Sequence, residues 1–552
     1  MNEMNEMIKK WETLPLFDAT TKRITSALKD DPEALAMAFG AELSFGTGGL
    51  RGILGVGTNQ MNVYTVAKAT QGLADYLIKK GGKKVAIAYD TRHMSKEFSQ
   101  TAACVLAKNG LVAYVYDAPM PTPMLSFAVR EMGCDAGIVV TASHNPSQYN
   151  GYKVYGADGC QMTDHAAEEV TEYIQAVTYE SLSWLTLDDA KAKGLYRDMP
   201  QKVYDTFIQK TLSVINSFDT KGELSIVYTP LNGAGMKPVT EVLKHLKGVK
   251  VSVVEAQSYP DGDFPTCPSP NPETEAALRC GLEQAKREKA DLLIATDPDC
   301  DRLGVAVRDG DEFVRLTGNE VGLILAEYIL SNKEFRAAPT VIKTIVTSDL
   351  VFPIARKYGA QVAEVLTGFK YIGEVIGEME KKNDMDLFAF GFEESCGYLA
   401  APYLRDKDGV MAAALICVVA MALKKKGKNL AQATEEIYKN YGYLENKLMN
   451  FELKGASAKA QMAELMAQMR NEPPEALAGD KVTRVKDYKP GIDGLPPSDV
   501  LQFETDTGLK ALVRPSGTEP KVKVYLFAKA QTSKYALEKI AEMEKWFNDK
   551  IK

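Results

Sequence analysis

AGIVVTASHNP, residues 136–146, passes from five apolar residues straight into a polar loop, and the remaining chain can be read outward from that junction. Upstream, VAIAY (85–89) and LVAYVY (111–116) are strand-like, and helix-compatible stretches of about a dozen residues separate the three runs, giving a βαβαβ unit. The order returns as LSIVY (224–228), VKVSVVE (249–255) and ADLLIAT (290–296), with helices predicted from Lys237 to Leu246 and from Glu273 to Lys289. A third copy reads TVIKTIV (340–346), QVAEV (361–365) and DLFAF (386–390), with helices from Phe352 and Tyr371. The last strand of each copy opens on a polar loop: TASHNP (141–146), DPDCDR (297–302) and GFEES (391–395). Open α/β sheets bind ligands at such strand ends, so three sheets offer three loops to one shared cleft. Three independent domains with ordinary turns are the competing arrangement.

At 552 residues the chain has room for three or four domains. Its 66 basic and 73 acidic residues leave a net charge of −7, the wrong sign for tracking nucleic acid through a general basic field. The eight cysteines, at 104, 134, 160, 267, 280, 300, 396 and 417, contain no CxxC pair and are too dilute for a disulfide framework, which predicts a reducing, cytoplasmic setting. Met1 to Ala19 lacks the apolar segment of a signal peptide. The longest apolar run, Val410 to Leu423, has 14 residues against the roughly 20 of a bilayer span, and predicts a buried core helix with no membrane partner. Beyond residue 440 the alternation fades; EPPEALAGD (472–480) and KPGIDGLPPSD (489–499) read as turns and linkers, Val500 to Lys529 as strands around RPSGTEPK (514–521), and Ser533 to Ile551 as a closing amphipathic helix. That segment predicts a small α+β domain.

Asp297, Asp299 and Asp301 alternate, so an extended backbone would turn all three carboxylates to one face. At about 5 Å and an effective dielectric near 20, each like-charged pair repels by roughly 3 kcal/mol, so the trio calls for a cation. All-oxygen ligands favour Mg²⁺. An EF-hand would need Gly and Glu where Arg302 and Arg308 stand. Ser143 has His144 beside it but no GxSxG elbow, so acyl transfer is disfavoured; a serine facing a magnesium site is suited to carry a phosphoryl group. In RPSGTEPK, Arg514, Ser516, Gly517 and Thr518 make a phosphate cradle. SFGTGGLRG (44–52) is Gly-rich around Arg51 without the GK[ST] ending of a P-loop.

These loops, in this order, resemble the α-D-phosphohexomutases, the family of phosphoglucomutase and phosphomannomutase: TASHNP resembles its phosphoserine loop, DPDCDR its metal loop, GFEES its sugar-binding loop and RPSGTEP its phosphate-binding loop. GTGGLRG, YNGYKVY, LTGFKYIG and RDKDG look most like the longer cytosolic branch of phosphoglucomutases and phosphopentomutases. The resemblance implies three related α/β domains with mixed sheets (1–205, 206–318 and 319–440) and a C-terminal α+β domain of the TATA-box-binding-protein-like type (441–552) around a central cleft. It implies an intramolecular phosphotransferase that converts glucose 1-phosphate to glucose 6-phosphate through phospho-Ser143, with glucose 1,6-bisphosphate as intermediate and activator. Mg²⁺ would be held by Ser143, Asp297, Asp299 and Asp301; Arg51 and Arg302 would add cationic support; Thr367, Gly368, Glu393 and Ser395 would hold the sugar, and Arg514, Ser516, Gly517 and Thr518 the non-reacting phosphate. Lys407 leads as general base, needing a lowered pKa, with Lys153 and His144 assisting. Cys300, where the family usually carries Gly or Ala, implies sensitivity to oxidation. A hinge is expected near 440–445. Pentose or mannose phosphates are alternative substrates, and a phosphatase with Asp297 as nucleophile or a noncatalytic sugar-phosphate sensor are the rival functions. Oligomeric state is not encoded in any of these motifs.

Overall fold

In the computed structural model, which describes residues 8–9, 11–14, 28, 31–46, 48–453, 458–515 and 521–551, the apolar runs form the central strands of four sheets. The first contains β1 (Gly49–Ile53), β2 (Lys84–Tyr89), β3 (Val112–Val115), β4 (Ala136–Val140), β5 (Tyr149–Gly156) and β6 (Tyr196–Asp198), in the order β1-β5-β4-β2-β3-β6. The second contains β7 (Leu224–Thr229), β8 (Val249–Val253), β9 (Leu292–Thr296), β10 (Leu303–Asp309) and β11 (Glu312–Leu316), ordered β11-β10-β9-β7-β8. The third contains β12 (Thr340–Thr344), β13 (Gln361–Val365), β14 (Phe388–Glu393) and β15 (Gly397–Leu399), ordered β13-β12-β14-β15.

One pattern underlies all three. The first strand of each copy lies between the second and third, parallel to both, and the third then pairs antiparallel with a return strand: β4 with β5, β9 with β10, β14 with β15. The polar loops join the third strand to its return. The return strands escaped the sequence reading: polar Asn150 and Lys153 interrupt β5, β15 has only three residues, and β10 follows directly on the charged DPDCDR loop. In the third copy the strand runs on through Glu393, so only Glu394 to Cys396 form the turn and Glu393 sits on the strand end, where the sequence suggested a loop from Gly391.

The copies are not independent. Helix Gly409–Lys425 is buried from Gly409 to Met421, as its all-round apolar sequence predicts, and it packs on helices Gln201–Ile215, Met236–Lys244 and Gly318–Asn332. The resulting apolar core is continuous from Met124 and Phe127 through Ile294 to Phe390 and Leu415.

The fourth sheet is antiparallel between neighbours: β16 (Tyr443–Glu452), β17 (Ala476–Leu477), β18 (Asp480–Asp487), β19 (Leu501–Thr505), β20 (Leu509–Pro515) and β21 (Lys521–Ala530), ordered β16-β21-β20-β19-β18-β17. Helices Ala458–Asn471 and Ser533–Ile551 pack against it. β16 and β18 lie outside the predicted 500–529 span because their charged residues face solvent and blur the alternation. A single residue, Gly442 at φ +96°, separates helix Leu430–Tyr441 from β16, within the expected hinge. Among the described residues no helix is long and apolar enough to cross a membrane.

Because Leu415 is fully buried at the centre of the shared core, Leu415→Ala is expected to cost about 2–5 kcal/mol. A melting temperature equal to that of the parent protein would refute that placement.

Candidate active site

The Ser143 loop is held from below. Ser143 adopts a left-handed conformation, φ +52°, a region costly to a side chain with Cβ. Its N–H donates to Thr141 Oγ1 (2.8 Å), whose own hydroxyl donates to Asp90 Oδ2 (2.6 Å). Asp90 is ion-paired with Arg92 (3.3 Å), and that buried guanidinium donates to the carbonyls of Ser143 (2.6 Å), Pro146 (2.9 Å) and Tyr149 (3.1 Å) and also to that of Asn145. Four carbonyls thus converge on one arginine. Asp90 and Arg92 were missed in the sequence; the available signal was a charged DTR directly after the strand VAIAY, the same strand-to-polar-loop junction that marks the other loops.

The fixed loop aims Ser143 Oγ at Asp297, to whose Oδ2 it donates at 2.8 Å across the first and second domains. Single oxygens of Asp297, Asp299 and Asp301 lie within 4.8 Å of one another. They do not converge through an extended strand as expected. A tight turn brings them together: Cys300 N–H donates to Asp297 O (2.9 Å), Cys300 is left-handed at φ +51°, and the N–H groups of Asp301 and Arg302 donate to Asp297 Oδ1 (3.2 and 3.0 Å). The left-handed backbone accounts physically for a preference for glycine at position 300. The Cys300 thiol is fully buried and burial, then Asp297, push it well above the ordinary cysteine range, which argues against the oxidation sensitivity expected from sequence.

Burial and the neighbouring Asp299 and Asp301 raise Asp297 well above the ordinary carboxylate range, whereas Asp299, despite its burial, is depressed by Lys153 (Nζ–Oδ2 3.3 Å) and by the Thr122 hydroxyl (2.9 Å). Among the described residues, Asp299 Oδ1 and Asp301 Oδ1 are buried without a hydrogen-bond partner. Two orphaned carboxylate oxygens in an all-oxygen cluster fit a hard divalent cation.

Around this centre stand the other residues singled out in the sequence. Lys407 contacts Asp301 (3.1 Å), Asp406 (3.2 Å) and Glu393 (3.9 Å); burial opposes its charge, but these carboxylates outweigh it and hold the ammonium well above its ordinary pKa. That is the reverse of the lowered pKa expected for a lysine base. His144 Nδ1 lies 3.2 Å from Ser143 Oγ, and burial, with Arg302 and Arg51 nearby, keeps the imidazole neutral. Arg51 is on β1, opposite Gly151, and Lys153 is on β5. Arg302 is held charged by Glu273 (3.5 Å) and Asp301, against the effect of burial. Ser395 Oγ donates to Glu393 (3.1 Å). Burial and Glu393 raise the adjacent Glu394 to about 7. Thr367 Oγ1 is buried with no partner among the described residues, beside Gly368, whose φ of +122° opens helix Phe369–Lys381. Arg514, next to the last residue of β20, pairs with Lys523, and burial and Arg514 lower Lys523 while Glu394 of the third domain opposes them, so the last sheet brings cations near Glu394. Ser516, Gly517 and Thr518 lie outside the described residues. Besides Asp90 and Arg92, sequence reasoning did not find Thr122, Glu273 or Asp406: Thr122 and Glu273 support site residues from stretches that carry no motif of their own, and Asp406 lies inside RDKDG, where Lys407 alone was singled out.

Sequence profiles described as Phosphoglucomutase/phosphomannomutase, alpha/beta/alpha domains I, II and III match residues 42–181, 203–310 and 317–441, and that for the C-terminal domain matches 448–545. The phosphoglucomutase of Staphylococcus aureus (strain MRSA252) is 38% identical over 520 residues, covering 92% of this chain and 93% of its own. That of Staphylococcus haemolyticus (strain JCSC1435) is 38% identical over 501 residues, covering 88% and 90%. Two solved structures share the fold: a putative phosphomannomutase from Thermus thermophilus (TM-score 0.69, 22% identity, 92% of this chain and 99% of that one) and the open form of parafusin, a phosphoglucomutase from Paramecium (TM-score 0.69, 17% identity, 92% and 96%). Since all four domains are matched in sequence order and the bacterial relatives align over about nine-tenths of both chains, the chain belongs to the phosphoglucomutase/phosphomannomutase family.

Proposed function

We propose that the protein is a phosphoglucomutase, interconverting glucose 1-phosphate and glucose 6-phosphate through a phosphoryl group carried on Ser143. The observation that carries this reading is the 2.8 Å contact between Ser143 Oγ and Asp297 at the acidic trio. Phospho-Ser143 gives its phosphoryl group to the free sugar hydroxyl, forming glucose 1,6-bisphosphate; the seryl P–O bond breaks as the sugar P–O bond forms, and a proton equivalent to the one the sugar hydroxyl loses restores the seryl hydroxyl. After the bisphosphate turns over, the other phosphoryl group returns to Ser143, and no water is consumed.

Asp297, Asp299, Asp301 and a seryl phosphate oxygen would hold Mg²⁺, which when bound polarises the phosphoryl group and offsets the charge that builds during transfer. Arg302 and Lys407, both held cationic by neighbouring carboxylates, face that charge from the protein side. His144 is neutral and has Nδ1 within 3.2 Å of Ser143 Oγ, so we assign it, in preference to Lys407, the proton of the seryl hydroxyl when the phosphoryl group returns. Lys153 secures Asp299 and Arg51 adds positive potential beside His144. Glu393 and Ser395, joined at 3.1 Å, with Thr367 and Gly368, hold the sugar hydroxyls; Arg514, with Ser516, Gly517 and Thr518, holds the distal phosphate. The free state of all eight cysteines fits a reducing cytoplasm.

Ser143→Ala is expected to abolish conversion of glucose 1-phosphate, a loss of about 10⁴-fold or more, in a coupled assay with Mg²⁺ and a trace of bisphosphate; residual turnover near the parent rate would sink the proposal. Arg92→Lys keeps the charge and loses the fork, and should lower kcat about 10- to 100-fold through displacement of the Ser143 loop. Since the raised Asp297 must release its proton to the buffer when a cation binds, Mg²⁺ affinity should increase with pH, by about tenfold per unit on the acid side of that titration; calorimetry in buffers of different ionisation enthalpy would register the released proton, and a pH-independent affinity would contradict it. If the last domain closes about Gly442, scattering should contract when glucose 1,6-bisphosphate is added, and superimposable profiles would count against that motion.

A further inference from the structure

Asp164, which has no place among the site residues above, sits at the first helical position of helix Asp164–Ala176 in the first domain. Its carboxylate reaches across to the third domain and accepts two hydrogen bonds from consecutive residues, Lys370 Nζ on Oδ1 (2.6 Å) and the Tyr371 hydroxyl on Oδ2 (2.7 Å). The Lys370 side chain is 9% exposed, so the pair is more sheltered than an ordinary surface ion pair, although Asp164 itself is 45% exposed. A third tie runs parallel to these, from Cys160 Sγ to the Lys370 carbonyl (3.2 Å), and Gly373, where a Cβ would come within 2.6 Å of that sulfur, lets the helix approach so closely.

What is fixed by these ties is the first turn of helix Phe369–Lys381. Directly before it come Gly368, left-handed at φ +122° with no side chain to cap the helix, and Thr367, whose Oγ1 is buried and has no hydrogen-bond partner among the described residues. A buried hydroxyl in that condition has hydrogen-bonding capacity left for a ligand, and its position depends on a turn that glycine leaves otherwise pliable. Tyr371 is also the residue of this turn that feels Arg514 of the last domain. Asp164 therefore ties the first domain to the third at the start of this helix, through the two side chains that it holds.

We infer that Asp164 is a positioning residue, which through Lys370 and Tyr371 locks the Thr367–Gly368 turn against the first domain and so sets how tightly and how strictly the sugar is held. This deepens the reading of Thr367 and Gly368 as sugar-binding residues and rests on it. Asp164 does not touch the reacting atoms, so its loss should act on sugar binding and leave phosphoryl transfer largely intact.

The test compares the full-length parent with Asp164→Ala, Asp164→Asn, Lys370→Met and Tyr371→Phe, the last two releasing the clamp from the other side should the alanine variant fold poorly. In hydrogen exchange, Asp164→Ala should speed residues 366–373 about tenfold while residues 297–302 keep the parent rate. In turnover, KM for glucose 1-phosphate should rise about tenfold with kcat within about twofold, and the preference for glucose over mannose 1-phosphate should narrow about threefold. Asp164→Asn, which keeps one acceptor oxygen, should fall between. Unchanged exchange in 366–373 would overturn the clamp whatever the kinetics, and loss of kcat with KM constant would overturn its assignment to sugar positioning. A parent protein inactive on glucose 1-phosphate would refute the proposed function alone, since the exchange measurement still decides whether Asp164 holds the turn.

Discussion

Three buried carboxylates within 4.8 Å of one another cannot stand as bare charges, and the cleft is organised by that repulsion. The protein answers it with groups drawn from several distant stretches. Lys153 and Thr122 come from the first domain to Asp299, Lys407 from the third to Asp301, and backbone N–H groups of the metal turn itself to Asp297. Ser143 enters as one more donor to the same cluster. The acidic trio therefore holds the domains in register: each compensating group is fixed to its own sheet, so satisfying the carboxylates fixes where those sheets stand.

The repeated topology makes this meeting geometrically simple. In every copy the third strand stops beside the first and returns antiparallel, so the connecting turn must reverse direction within a few residues. Each such turn contains a left-handed residue that is not glycine: Ser143 at +52°, Cys300 at +51° and Cys396 at +65°. A non-glycine residue there costs about 1–2 kcal/mol, and the local bonds offset it. Ser143 has Thr141 and Arg92, Cys300 has the Asp297 carbonyl, and the Cys396 carbonyl accepts from Leu303 N–H of the second domain at 3.0 Å. Strain at the loop tips is therefore secured partly by the neighbouring domain, which couples the shape of each loop to the assembly of the whole.

This division explains what could be read in the sequence. Strands such as AGIVV and ADLLIAT are buried on both faces, so composition alone marks them, and the residues after them are conspicuous because they are polar where a core strand ends. Backbone direction inside a loop leaves no such mark: Asp297, Asp299 and Asp301 alternate as they would in a strand, yet they converge through a turn. Supporting residues are harder still. Thr122 follows a proline at a helix start and Glu273 lies in a loop, and nothing nearby in sequence reveals that one reaches Asp299 and the other Arg302. The charge on Lys407 was misjudged for the same reason, because two of its three carboxylate neighbours, Asp301 and Glu393, come from other stretches of the chain.

That charge bears on how a reversible transfer is run. Under the proposed reaction the phosphoryl group leaves Ser143 in one half of the cycle and returns in the other, so every group in the cleft must serve both directions. A lysine held cationic by Asp301, Asp406 and Glu393 stabilises the same phosphoryl oxygens in either direction, because its charge does not change. A proton carrier must instead change state. His144 meets that requirement: burial and two arginines keep the ring neutral while its Nδ1 faces the seryl oxygen. Accepting the seryl proton makes it cationic among those arginines, an unfavourable state that a phosphate dianion arriving on Ser143 would relieve, and the same repulsion favours giving the proton back when that phosphate departs.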